Sequence, residues 1–297
     1  MGSIDRSGTF QLGDLTVRRL GYGAMHLSGA GVFGPPEDRG AALAVLREAV
    51  ASGVNHIDTS DYYGPHVTNQ LIREALHPYP DDLVIVTKIG ARRGNDGSVL
   101  AASSPSELIQ AVYDNLRNLD VDVLDVVNLR NMFDDADHAD EAIDAGLNVL
   151  ADLQRKGLVR YVGLSNVTPD QIAAGRSICD IVCVQNRYNL AQRHDDELID
   201  RLAVDRIAYV PFFPLGGLAQ LQSAELSQVA RLLGTTTAQV ALAWLLRRAP
   251  NMLLIPGTSS VTHLRENIAA ADIILPDTAL ETLSGGAHIA SRAKGGA

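Results

Sequence analysis

VRYVGLSNVTPDQIAAGRSICDIVCVQ, residues 159–185, contains two short runs rich in β-branched residues with an amphipathic stretch between them. VRYVGLS (159–165) and DIVCVQ (180–185) have the length and composition of strands. Thr168 followed by Pro169 reads as a helix N-cap and a first-turn proline. A strand, a helix and a second strand joined this closely make a right-handed crossover between parallel strands.

The same alternation runs through the chain. Further strands are read at RLGYGAM (19–25), NHID (55–58), LVIVTK (83–88), VLDVVNL (123–129), IAYVPF (207–212) and MLLIP (252–256). Helical patterns such as DRGAALAVLREAVASG (38–53) and PSELIQAVYDNLRNL (105–119) separate them, Ser104 before Pro105 repeats the cap signal, and Gly53, Gly157 and Gly234 stand where helices should stop. Eight strand–helix units close into a barrel more readily than they form an open sheet. The expected fold is therefore α/β, a (β/α)8 barrel (TIM barrel), forming a single domain over residues 1–297 with a core at roughly 15–285. An open doubly wound sheet is the other topology that fits the alternation. Its dinucleotide fingerprint is missing, because the first strand leads into GYGAM and not into G-x-G-x-x-G at a helix start.

Composition narrows the function classes. Hydrophobic residues are 46% and charged residues 20% of the chain, as expected for a packed globular protein. The net charge of −10 is spread without a Lys/Arg block, so neither nucleic acid nor an anionic membrane is an expected partner. The N-terminal residues lack the apolar run of a signal peptide, no stretch reaches the length of a membrane span, and a cytoplasmic location is expected. Cys179 and Cys183, spaced i, i+4, read as reduced packing residues on one strand face, and the eight histidines have no ligand spacing, so no metal is expected. The C-terminal SGGAHIASRAKGGA (284–297) reads as a flexible tail.

In such a barrel the active site forms at the C-terminal ends of the strands. Asp58 ends one strand in NHIDTSDYYG, Lys88 ends the next in LVIVTKIG, and Tyr63 lies in the loop between. The Asp and Lys charges are expected to pair at the rim of the core, or to form no more than a structural ion pair. A tyrosine beside the ammonium group is expected to have its pKa drawn down from about 10 toward neutrality, which suits a general acid acting on a carbonyl oxygen.

IDTSDYYG and VTKIG resemble the aspartate, tyrosine and lysine motifs of the aldo-keto reductase family, whose fold is this barrel. The resemblance implies an NADPH-dependent oxidoreductase acting on CH-OH groups, with Asp58, Tyr63 and Lys88 catalytic and a small carbonyl compound as substrate. GLSN (163–166) and VQNRYN (184–189) resemble the segments holding the nicotinamide carboxamide, here Ser165, Asn166 and Gln185. PFFPLGGL (211–218) is similar to the loop whose ring stacks on the nicotinamide, here Phe212. Gly23, Met25, Leu215 and Gly217 join the implied cofactor contacts. IPGTSSVTHLRENIAAA (255–271) is similar to the adenosine 2′-phosphate segment, with Glu266 and Asn267 at the adenine and Thr258, Ser259 and Arg265 as phosphate donors.

Two departures from the family pattern stand out. Arg130 occupies the place usually held by histidine at the end of the fourth strand; it can polarise a carbonyl oxygen but cannot transfer a proton near neutrality. Gly257 and His263 occupy positions often held by lysine and arginine, which weakens the implied preference for NADPH over NADH. VNLR together with SDYYGPHVTNQLIREAL and VTKIGARRG resembles the bacterial pyridoxal reductase branch, implying reduction of pyridoxal to pyridoxine under loops carrying Phe33, Tyr62, Met132 and Phe133. Reduction of another small aldehyde, ketone or sugar, or a cofactor-binding regulatory role with little turnover, are the alternatives. His66 is expected to hydrogen-bond locally, ahead of Thr68 as a helix cap, and Trp244 to pack in the core.

Overall fold

The computed structural model describes residues 3–132, 143–216 and 223–283. Phe133, Gly217 and the C-terminal residues 284–297 lie outside the described residues.

Seven parallel strands form one curled sheet: β3 (Tyr22–Gly23), β4 (His56–Asp58), β5 (Val84–Ile89), β8 (Leu124–Arg130), β9 (Val159–Ser165), β10 (Ile181–Gln185) and β11 (Ala208–Tyr209), adjacent in that order. The eighth expected strand is present as single bridges, Tyr209 to Met252 on one side and Leu20 to Leu254 on the other. Backbone hydrogen bonds from Leu253 N to Tyr209 O (2.9 Å) and from Gly21 N to Leu254 O (2.7 Å) close the circle there. The fold is the (β/α)8 barrel, and the open-sheet alternative falls because its two edges are joined.

Helices α1 (Arg39–Ala51), α2 (Val67–Leu76), α3 (Pro105–Leu119), α4 (Asp144–Arg155), α5 (Pro169–Arg176), α6 (Asp196–Val204), α7 (Ala224–Leu233), α8 (Thr237–Arg248) and α9 (Val261–Ala269) surround the strands. Ser104 and Thr168 each make the reciprocal capping-box bonds the sequence signals, and Gly234 caps α7 in the left-handed conformation at φ +63°. His66, not Thr68, holds the cap position of α2, and Thr68 is buried within the helix. Among the described residues no single helix is long and apolar enough to cross a membrane; α7 and α8 together reach the length but meet at 95°.

Strand alternation sorts the core into two parts. Val84, Val86, Val126, Cys183, Ala208 and Leu253 face the barrel interior, whereas Ile85, Ile89, Val127, Leu129 and Val184 pack outward under the helices with Trp244. Cys183 is buried as expected, but Cys179 precedes the strand and is half-buried, so the two do not share a strand face. Leu12 and Val17 of the hairpin formed by β1 (Thr9–Leu12) and β2 (Leu15–Arg18) are fully buried in the interior cluster. The turn of that hairpin lies under the N-terminal ends of the strands, where the Tyr161 hydroxyl donates to Asp14 at 2.8 Å. A second hairpin, β6 (Ala91–Arg93) and β7 (Val99–Ala101), stands above β5 at the opposite end.

Candidate active site

The period of two that places Val84 and Val86 inside places Lys88 inside as well, at the C-terminal end of β5. The same alternation brings Asp58 from β4 and Gln185 from β10 to that level. Lys88 and Asp58 form a buried ion pair through Nζ and Oδ1, and the second carboxylate oxygen accepts from Gln185 Nε2 at 2.9 Å. Lys88 Nζ also donates to the Thr59 carbonyl at 3.0 Å and to the Tyr63 hydroxyl at 3.4 Å. All three ammonium donors therefore have partners. Burial alone would lower the Lys88 pKa, but the charge of Asp58 and the Tyr63 hydroxyl outweigh it, so the ammonium is held above its ordinary value.

Tyr63 differs from expectation in its acidity. Its ring is 5% exposed, and burial pushes the hydroxyl up to about 12, against the opposing pull of Lys88. The expected fall toward neutrality is not seen because the lysine charge is already committed to Asp58, and a desolvated phenolate is costly. In the free protein Tyr63 is a neutral, protonated acid.

Arg130 ends β8 on the inward face. It donates through Nη1 to the Tyr62 hydroxyl, and its guanidinium carbon lies 5.3 Å from the Tyr62 ring centroid. Tyr62 in turn meets Tyr63 edge-to-face at 4.9 Å. Arg130 is thus linked to the Tyr63 ring through an aromatic neighbour.

Ser165 and Gln185 are register partners at the ends of β9 and β10, and Asn166 follows at φ +58° with its amide donating to the Gln185 carbonyl at 3.1 Å. The Gln185 side-chain oxygen is buried and has no hydrogen-bond partner among the described residues. Gln185 borders a cavity of about 100 Å³ that brings together Gly23, Met25, Asp58, Tyr63, Lys88, Phe212, Leu215 and Gly257. A neighbouring cavity of about 310 Å³ is lined by Leu215, Gly257, Thr258, His263, Glu266 and Asn267. Leu215 and Gly257 border both, so one track leads from the buried lysine to the first turns of α9.

Not every expected residue reaches this track. Arg265 is turned to the far side of α9, where it pairs with Glu48 of α1 at 2.8 Å, and Ser259 is exposed between the linings. Two residues along a helix is a rotation of about 200°, which sets Arg265 opposite His263 and Asn267. Tyr62 faces a separate cleft beside Lys88, Phe33 is 39% exposed and bridges Gly64 outside both linings, and Met132 is half-buried after β8.

The sequence reading missed His26 and Phe213, which also line the smaller cavity, and Asp61. The doubled aromatic in PFFPLGG was the available signal for Phe213, whose ring stands 5.3 Å from Phe212. Asp61 anchors the tyrosine loop: it accepts from Asn69 (3.1 Å) and Asn118 (2.9 Å) and pairs with His66 at 2.6 Å. His66 so bonds locally, as expected. Among the described residues no group of three His, Cys, Asp or Glu side chains is placed to hold a metal ion.

Comparison with known proteins agrees with this geometry. A model of the Aldo/keto reductase family matches residues 19–285. The chain is 66% identical to pyridoxine 4-dehydrogenase of Escherichia coli (strain K12), over 94% of this chain and 98% of that protein. Among solved structures, a thermostable aldo-keto reductase in complex with the inhibitor epalrestat superposes with a TM-score of 0.78 at 27% identity, covering 93% and 98% of the two chains. An aldo-keto reductase from Klebsiella pneumoniae in complex with NADPH shares the fold, with a TM-score of 0.75 at 24% identity and 91% of each chain covered. The chain belongs to the aldo/keto reductase family.

Proposed function

We propose that this protein is an NADPH-dependent reductase that converts pyridoxal to pyridoxine, with Tyr63 as the proton donor. The observation that carries the reading is the buried Asp58–Lys88 pair with Tyr63 hydrogen-bonded to the same ammonium. The substrate assignment is supported by the 66% identity to pyridoxine 4-dehydrogenase over nearly the whole of both chains.

The site fits a nicotinamide cofactor on the evidence of Gln185, whose unpartnered buried oxygen suits the amide of a carboxamide. Ser165, Asn166 and Gln185 would hold that group, Phe212 would offer a stacking face, and Thr258, His263, Glu266 and Asn267 would take the adenosine end. NADPH supplies the hydride when bound.

Tyr63 gives its proton to the carbonyl oxygen as charge develops there. Lys88, kept in place by Asp58 and the Thr59 carbonyl, stabilises the phenolate so formed. Arg130 donates to the same oxygen and, being permanently charged, leaves proton transfer to Tyr63 alone. The substrate is a small carbonyl compound.

The reading is tested by following NADPH oxidation with pyridoxal, beside NADH and a panel of other aldehydes and ketones. Saturable turnover on pyridoxal is expected. Cofactor binding with no turnover on any carbonyl compound would replace this reading with a regulatory one.

A further inference from the structure

The β6–β7 hairpin lies outside the barrel, yet one of its side chains reaches the tyrosine loop. Arg93 donates through Nη1 to the Gly97 carbonyl at 2.7 Å, closing its own hairpin. Through Nη2 it donates to the carbonyls of Gly31 (3.1 Å) and Val32 (3.0 Å), and its guanidinium carbon lies 5.3 Å from the Tyr62 ring centroid. One planar group therefore ties together three segments far apart in sequence.

The segment it holds resists its own conformation. Val32 has φ +60°, a region where a β-branched side chain crowds the backbone, and Gly31 and Gly34 on either side are also at positive φ. The Val32 carbonyl accepts a second bond from Gly64 N at 3.2 Å, and Gly34 N donates to Gly64 O at 3.0 Å. These bonds lace the segment to the loop of Tyr62 and Tyr63. Phe33 lies against Gly97 of the hairpin, where a Cβ would meet its ring at 3.4–3.6 Å, an ordinary contact, and Gly97 itself is held at φ +81°.

We infer that Arg93 is a positioning residue that sets aldehyde selectivity: it holds residues 31–34 in a shape Val32 opposes and so keeps Phe33 bridged to Gly64, on the loop of Tyr62 and Tyr63, as a wall for ring-bearing aldehydes. The inference rests on Tyr63 being the proton donor. A two-carbon aldehyde reacting at Tyr63 is too short to lean on that wall.

The test compares pyridoxal, benzaldehyde and acetaldehyde in the wild type, Arg93→Ala, Arg93→Lys and the Arg93→Ala/Val32→Gly double variant. Arg93→Ala is expected to raise KM for the ring-bearing aldehydes by about tenfold, with kcat and the acetaldehyde constants moved by no more than about twofold. Arg93→Lys, which has no fork to bridge two carbonyls, should behave like the alanine variant. Glycine at position 32 removes the backbone opposition and should recover part of the lost KM in the double variant. An unchanged KM for the aromatic aldehydes, an equal rise for all three aldehydes, or a further loss on adding Val32→Gly would each overturn the inference. A wild type that reduces benzaldehyde and not pyridoxal would overturn the substrate assignment alone, and the Arg93 comparison would then be read on benzaldehyde.

Discussion

Lys88 Nζ lies 3.4 Å from the Tyr63 hydroxyl while the same nitrogen is ion-paired with Asp58. The ammonium is thus shared between a carboxylate that holds it and a phenol hydrogen-bonded to it. Before reaction the carboxylate and burial dominate, and the phenol keeps its proton. Once the proton leaves, the phenolate becomes the second anion at that ammonium.

Tyr63→Phe keeps the ring and removes the proton assigned to the carbonyl oxygen. Turnover should fall on the order of 10² or more, with NADPH affinity unchanged. Single-turnover kinetics beside a fluorescence titration of the cofactor check both parts, and near-normal turnover would remove Tyr63 from its role.

The pH profile follows from the direction of the Tyr63 shift. Only the protonated phenol acts as the acid, and burial holds its pKa at about 12. In the reductive direction kcat/KM should therefore show no alkaline fall arising from Tyr63 between about pH 6 and about pH 9. A basic limb near neutrality in the wild type, absent from a Tyr63 variant's residual activity, would contradict the burial described here.

Asp58→Ala leaves the Lys88 ammonium buried without its counter-charge. The expected loss of stability is about 3–5 kcal/mol, and Asp58→Ala/Lys88→Met should lose less than Asp58→Ala alone. Urea denaturation of the single and double variants measures the difference.

Gln185→Leu removes the buried oxygen assigned to the carboxamide and a donor to Asp58. NADPH affinity should weaken by about tenfold, or about 1.4 kcal/mol. Equal affinity in wild type and variant would move the carboxamide site elsewhere.

His66 is raised above its ordinary value of 6.5 chiefly by its hydrogen bond to Asp61. For a group with a raised folded pKa, the stabilisation is complete below the unfolded value and is lost as pH rises through the folded one. Thermal midpoints should therefore decline on moving above pH 6.5 in the wild type, and the slope should be shallower in His66→Gln. Parallel slopes would show that the pair contributes no pH dependence.

The positions of Asp58, Lys88 and Arg130 were legible because strand alternation is written in the sequence: Lys88 lies two places beyond the buried Val86, Arg130 four beyond Val126, and Asp58 one beyond the outward-packed Ile57. Tyr63's acidity was not, since a neighbouring lysine can be read from a motif but the depth of burial depends on packing by residues remote in sequence. Arg265 shows the opposite failure: the helical repeat was there to be read, and the motif match overrode it. Arg93 gives no signal, because its three carbonyl partners are defined only once two loops and a hairpin have met. The eighth strand was correctly located, though it contributes bridges where a full ladder was expected.

The N-terminal hairpin that plugs the barrel with Leu12 and Val17 makes the interior a vessel with one opening. Two clefts adjoin Lys88 at the far end from that plug, one lined by Tyr62 and the other by Phe212 and Leu215. Sealing the barrel and admitting reactants are thus assigned to opposite ends of it, and a change in the floor can alter stability without touching the approach to Tyr63.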